Sequence, residues 1–291
     1  MPLVNGVDML RKARREGYAV GGFDIFDLDS VRAVIAAAES ANSPVFLQAC
    51  LRSVEHLGFE RAGLIMRHAA ECASVPVAVH FDHGPRVTTV EDVRRALRAG
   101  FTSVMVDGSR LALDENIALT RQAAALAHAQ GAGVEGEIGE IGRISGGQAD
   151  EVVRRMATGE SGPTWLTSAQ EAARLVRETG VDCLAVSIGS VSGARSRLKL
   201  DVLQDIAGMV DIPLVLHGGS GVPESDLREA IRLGIAKVNI AHGVRRAYIK
   251  ALRDGLADGR NTDDPYALQV SGREAMRDYI VTKIRQLRPV P

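Results

Sequence analysis

The sequence predicts a (β/α)8 barrel. Three observations point to it: eight short runs rich in Val, Ile and Leu, longer amphipathic stretches between them, and a chain of 291 residues that accommodates eight such units in one domain.

The first two strands are AVGGFDI (19–25) and PVFLQA (44–49), joined by the helical pattern SVRAVIAAAESA. PVAVHF (76–81) and TSVMV (102–106) follow, separated by TTVEDVRRALRAG, which opens on a threonine cap and closes at a glycine. GVEGEI (133–138) is the fifth. Next comes GRISGGQADEVVRRMATGESGPTW (142–165), a long connection, glycine-rich at its start, that reads as a mobile lid. TSAQEAARLVRETG, again capped by Ser/Thr and ended by glycine, leads to DCLAVSI (182–188), and PLVLH (213–217) and AKVNI (236–240) complete the eight. A helical extension from about residue 268 carries an apolar stripe at Met276, Tyr279, Ile280, Ile284 and Leu287, suited to packing on the barrel or on a second subunit. The whole chain, 1–291, is thus read as one barrel domain with a C-terminal extension. A doubly wound sheet is the alternative, but it calls for a glycine fingerprint after the first strand, which GGFDIFD is not.

Composition narrows the function. With 46% hydrophobic and 24% charged residues and a formal net charge of -1, the chain suits small-molecule chemistry and lacks the basic footprint of a nucleic-acid binder. The N-terminus turns charged within a dozen residues and no stretch reaches membrane-spanning length, so a cytoplasmic protein is expected. Cys50, Cys72 and Cys183 form no CxxC pair and read as small buried apolar residues.

Barrel chemistry sits at the C-terminal ends of the strands. There the sequence places Asp24, Cys50, Asp82, His83, Asp107, Glu135, Glu137, Ser187 to Ser192, His217 to Ser220 and Asn239 to His242. Three ionisable groups in AVHFDHGP, at the end of a buried run, need a partner or a metal. Glu135 and Glu137 share one strand face, and either a cation such as Lys237 or a metal would balance them. His80 reads as a hydrogen-bonded barrel residue. Glycines in HGGSG let backbone amides approach an anion, with the Ser220 hydroxyl as a further donor.

VAVHFDHG, GFTSVMVDGS, VEGEIGEIG, DCLAVSIGS, PLVLHGGSG and KVNIA, in that order, resemble the class II ketose-bisphosphate aldolases from about Val20 to about Arg246. The resemblance implies a metal-dependent (β/α)8 lyase acting on a phosphorylated ketose or related keto compound through an enediolate, with dihydroxyacetone phosphate as the nucleophilic half. Zinc or another divalent ion, with or without a monovalent cation, is the implied cofactor. His83 and His217 are then metal ligands, Glu135 an alternate metal contact, and Asp82 the acid that protonates the aldehyde oxygen during cleavage. Gly193, Gly218, Gly219, Ser220, Asn239, Ile240, Ala241 and His242 line the phosphate and ketose site. A homodimer or homotetramer is implied as well.

The pattern breaks at several rim positions. IGSVSG puts Ser192 where the family has its third zinc histidine, and a serine hydroxyl is a poor zinc ligand. His242 stands where the family has a threonine, and supplies either the missing imidazole or a substrate contact. Asp24 replaces an asparagine and adds negative charge that an anionic substrate would resist. Cys50 replaces a phosphate-binding serine, and ARSR (194–197) offers Arg195 and Arg197 as anion clamps. Fructose bisphosphate is therefore not the expected main substrate. Two further readings stay open: Schiff-base catalysis by Lys237, and a non-catalytic phosphosugar-binding relative.

Overall fold

A computed structural model describes residues 2–84, 87–145, 148–149, 153, 165–259 and 263–288. Eight parallel strands close on themselves: β2 (Val20–Asp24), β3 (Val45–Ala49), β4 (Val77–Phe81), β5 (Ser103–Val106), β6 (Gly133–Ile138), β9 (Cys183–Val186), β11 (Leu214–Leu216) and β12 (Ile235–Ile240), with β12 pairing back onto β2. These are the eight expected runs, most of them trimmed by a residue or two at the ends. The lower numbers belong to β1 (Leu3–Val4), which pairs with β4 beneath the barrel, and the gaps to β7 (Gly142–Ser145), β8 (Gln148–Ala149) and β10 (Val191–Ser192), a small sheet at the mouth. Only the start, residues 148–149 and 153, and the end of the expected lid fall within the described residues, and the rest of 142–165 lies outside them.

Helices α1 (Val7–Glu16), α2 (Leu28–Ser40), α3 (Leu51–Leu57), α4 (Phe59–Cys72), α5 (Val90–Arg98), α6 (Leu113–His128), α7 (Ala169–Thr179), α8 (Leu200–Met209), α9 (Glu224–Arg232), α10 (His242–Ala257) and α11 (Pro265–Gln286) surround the strands. The capping signals act where the sequence puts them: Thr89 and Ser168 accept from the backbone N–H groups of Asp92 and Glu171, and Gly180 ends α7 in the left-handed region at φ 70°. Helix α11 starts at Pro265, three residues before the expected 268, because Asp264 accepts from the N–H groups of Tyr266 and Ala267 and proline suits the first helical turn. Its stripe packs on the barrel wall: Met276, Ile280, Ile284 and Leu287 are buried, and the helix lies against α10 and α2.

The interior of the barrel is layered. Its floor is apolar, built from Val20, Phe46, Ala78, Met105, Cys183, Ala185, Val215 and Ala236, and plugged from below by Met9, Leu10 and Ala13 of α1. A β-bulge decides what lies above it. Leu214 pairs with Ile235 but Val215 pairs with Lys237, so Ala236 is an extra residue on β12. Ala236 joins the floor, while Ile235 and Val238 join the layer between strands and helices, and Lys237 turns inward with Asn239 above it.

The cysteines depart from expectation. Only Cys183 is buried; Cys50 is half-buried at the mouth and Cys72 is exposed on the outer helix layer.

Candidate active site

Above the apolar floor lies a charged layer. Lys237 Nζ donates to Glu135 Oε2 at 2.6 Å, lies 3.4 Å from His80 Nε2 and faces the Phe46 ring at 5.1 Å. Burial is the largest influence on Glu135 and opposes its charge, but Lys237 and the contact with His217 together outweigh it and hold the carboxyl well below the usual range. His80 is pushed down to about 3 by burial and then by Lys237. The neutral ring accepts from Lys237 at Nε2 and donates from Nδ1 to Ser103 Oγ at 2.8 Å, the hydrogen-bonded barrel role expected for it. The lysine partner expected for Glu135 is in place.

The reactive layer stands on this one. His217, at the end of β11, places Nε2 2.9 Å from Glu135 Oε1. Asn239 Nδ2 lies 3.1 Å from the same nitrogen, so Nε2 sits between a carboxylate and an amide, and Nδ1 lies 3.9 Å from Glu137 Oε2. Asp82, just after β4, is buried and accepts from Gln48 Nε2 at 3.3 Å and Asn239 Nδ2 at 3.2 Å. The His83 and His217 rings lie 5.1 Å apart, and one ligating atom from each of Asp82, His83 and His217 falls within 4.8 Å of the others. Two imidazoles and a carboxylate at that separation suit a divalent cation. Glu135 and His242 are not in that group; His242 is the first residue of α10, and Ser192 is half-buried on β10.

Gln48 was not singled out by sequence reasoning, and its role depends on a glycine opposite. A Cβ on Gly22 would lie 2.2 Å from Gln48 Oε1 and 2.9 Å from Asn239 Oδ1, so only glycine leaves room for both amides beside Asp82. Those two carbonyl oxygens are buried without a protein partner among the described residues, free to accept from a substrate hydroxyl.

Gly193, Gly218, Gly219 and Ser220 meet on one side of the mouth. Gly193 and Gly218 take φ values of 91° and 73°, and Gly219 to Gly221 form a 3-10 turn. Ser220 Oγ accepts from Gly243 N at 3.2 Å and also bonds the Tyr279 hydroxyl, so α11 reaches this turn. A cleft of about 710 Å³ beside it is lined by Arg195, Arg197, Ser220, Gly221 and Arg246, the last overlooked in the sequence. Arg197 is held by Asp226 at 3.2 Å. Asn239 faces the interior, whereas Ile240 is packed between strands and helices, leaving its backbone as the part available to a ligand.

On the other side stand Asp24 and Cys50, where the structure corrects an expectation. Asp24 does not present an open negative charge: its Oδ2 is paired with Arg245 and its Oδ1 accepts from Cys50 N at 3.2 Å. Burial raises its pKa to about 6 against the pull of Arg245, with Asp82 raising it further. Arg245 carries no sequence signal of its own; it meets Asp24 only because β12 closes the barrel onto β2.

Comparison with known proteins agrees with this geometry. The family model for fructose-bisphosphate aldolase class-II matches residues 4–289. A fructose-bisphosphate aldolase from Geobacillus stearothermophilus is 38% identical over 98% of this chain and 97% of its own. A 6-phospho-5-dehydro-2-deoxy-D-gluconate aldolase from Halalkalibacterium halodurans is 35% identical over 99% of this chain and 97% of its own. Among solved structures, the YdjI aldolase of Escherichia coli K12 superposes with a TM-score of 0.82 at 31% identity, covering 98% of this chain and 97% of that one. The barrel, its mouth and these relatives together show that the chain belongs to the class II fructose-bisphosphate aldolase family, the metal-dependent aldehyde-lyases.

Proposed function

We propose that the protein cleaves and forms a carbon–carbon bond of a phosphorylated ketose, with dihydroxyacetone phosphate as the nucleophilic half and zinc as the metal. The observation that carries this reading is the grouping of Asp82, His83 and His217 at the C-terminal rim. His83 and His217 hold the ion, with Asp82 within reach. The bound metal supplies Lewis acidity toward the substrate carbonyl.

The protein's own groups divide the remaining work. Asp82, steadied by Gln48 and Asn239, delivers a proton to the aldehyde oxygen in synthesis and withdraws it in cleavage. That direction corrects the role inferred from the resemblance: cleavage releases the aldehyde by taking a hydroxyl proton, so Asp82 acts there as a base. Ser220, the adjoining glycines and Arg195 receive the phosphate. Lys237 anchors Glu135 and is fully buried beneath the mouth, so its arrangement favours the metal route over a Schiff base.

The test is retro-aldol activity and bound metal, each measured with and without a chelator. A metal-free protein with full activity would overturn the reading. No helix among the described residues is long and apolar enough to cross a membrane. The free thiols Cys50, Cys72 and Cys183 suit the reducing cytoplasm we assign to it. Exposed Leu256 on α10, with Tyr266 and Val270 on α11, is the apolar surface we assign to a homodimer or homotetramer, checked by sedimentation.

A further inference from the structure

A second cavity opens on the Asp24 side of the mouth. Its volume is about 400 Å³, and Phe26, Tyr248 and Ile249 supply its apolar walls. The Phe26 and Tyr248 rings stand 5.3 Å apart at 59°. Arg245 joins the cavity to the Asp24 side of the mouth: it lines the cavity, pairs with Asp24 and lies 4.0 Å from Cys50 Sγ. Ser53, on another wall, lies 3.4 Å from the same sulfur.

The charge balance selects the occupant. A phosphate dianion needs several uncommitted donors, and the guanidinium nearest the mouth is already committed to a buried carboxylate. Arg52 is the other cationic group on the cavity wall and His56 its neighbour there; both are exposed, where water and salt screen charge. What remains is an apolar recess of the size that holds a small organic group.

We propose that this recess receives the aldehyde half of the substrate, and that the aldehyde is uncharged and carries an apolar substituent rather than a phosphate. The proposal rests on the aldolase reading above. Asp24 is then a specificity-determining residue, since it occupies the cation that would otherwise draw an anionic aldehyde.

The test uses the metal-loaded full chain with dihydroxyacetone phosphate as donor, offering 3-phenylpropanal and glyceraldehyde 3-phosphate as acceptors. Wild type is expected to favour 3-phenylpropanal by about 10-fold or more in kcat/KM, and Asp24→Asn, which releases Arg245, to lower that ratio about 10-fold. Should Asp24→Asn fail to fold, Tyr248→Ala replaces it: removing the ring is expected to lower the same ratio about 10-fold. A wild-type preference for the phosphorylated aldehyde, or a ratio unmoved by these variants, overturns the proposal. Hydrogen–deuterium exchange at the hydroxymethyl carbon of dihydroxyacetone phosphate, without aldehyde, separates the two readings. Its absence in wild type removes the aldolase reading and the recess with it, whereas exchange accompanied by preference for the phosphorylated aldehyde removes the recess alone.

Discussion

Lys237 Nζ lies 2.6 Å from Glu135 Oε2 with both side chains sealed from solvent, and Glu135 hands the contact on to His217 at 2.9 Å. The lysine therefore acts on the mouth of the barrel through a carboxylate. Lys237→Met strands that carboxylate, so a loss of about 3–5 kcal/mol in urea unfolding is expected. The double variant with Glu135→Leu should regain most of it, because an apolar pair needs no counter-charge. Metal affinity should fall 10- to 100-fold in either variant, as the orientation of His217 loses its support. Borohydride with substrate should trap no adduct on wild-type Lys237.

The metal prediction follows from the donor set. His83→Ala and His217→Ala should each abolish measurable metal retention after dialysis, read by elemental analysis. Ser192 is half-buried beside Gly218, whose Cβ would sit 3.1 Å from its backbone nitrogen. Ser192→His is expected to raise metal affinity by about 10-fold or more by adding an imidazole next to His217.

For proton transfer, Asp82→Asn should lower kcat by about 10²- to 10⁴-fold with little change in KM. Gly22→Ala should lower kcat in the same direction. Its methyl group would push Gln48 and Asn239 off Asp82 while the circular-dichroism spectrum of the barrel persists.

Asp24 predicts a pH dependence of stability. Its pKa rises from an ordinary 3.8 to about 6 because burial, with Asp82 nearby, outweighs Arg245. The folded state thus binds more protons than the unfolded one between those values. This contribution to stability is full below about pH 4 and is lost as the pH rises through 6. Relative to wild type, Asp24→Asn should gain up to about 3 kcal/mol between pH 4 and pH 7, measured by denaturant titration at each pH. An unchanged difference would show that Arg245 fully compensates the carboxylate.

Much of this was legible in the sequence for a simple reason. Buried parallel strands read as apolar runs, and caps such as Thr89 and Ser168 act within one turn of the chain. Asp82, His83 and His217 stood out because ionisable groups at the end of such runs need a purpose. The partners that the closed barrel brings across it were harder to see. Arg245 looks like any arginine on an amphipathic helix until β12 meets β2, and Gln48 gains meaning only beside Gly22. In sequence Lys237 reads equally as a nucleophile and as a counter-ion, because its partner Glu135 lies 102 residues away. Tyr279, read as part of a packing stripe, also touches the phosphate turn, a contact 59 residues distant in the chain from Ser220.

The bulge at Ala236 makes strand length itself a determinant of chemistry. Counted by pairing, β12 spends two residues where β11 spends one, and that offset is what aims the lysine at its carboxylate. Without the bulge, regular pairing would set Ala236 opposite Val215 and turn Lys237 outward, trading the faces assigned to ammonium and hydrocarbon while leaving the composition untouched. A chimera that grafts this strand into a sister barrel must keep the irregular pairing along with it, or it inherits the right letters in the wrong phase.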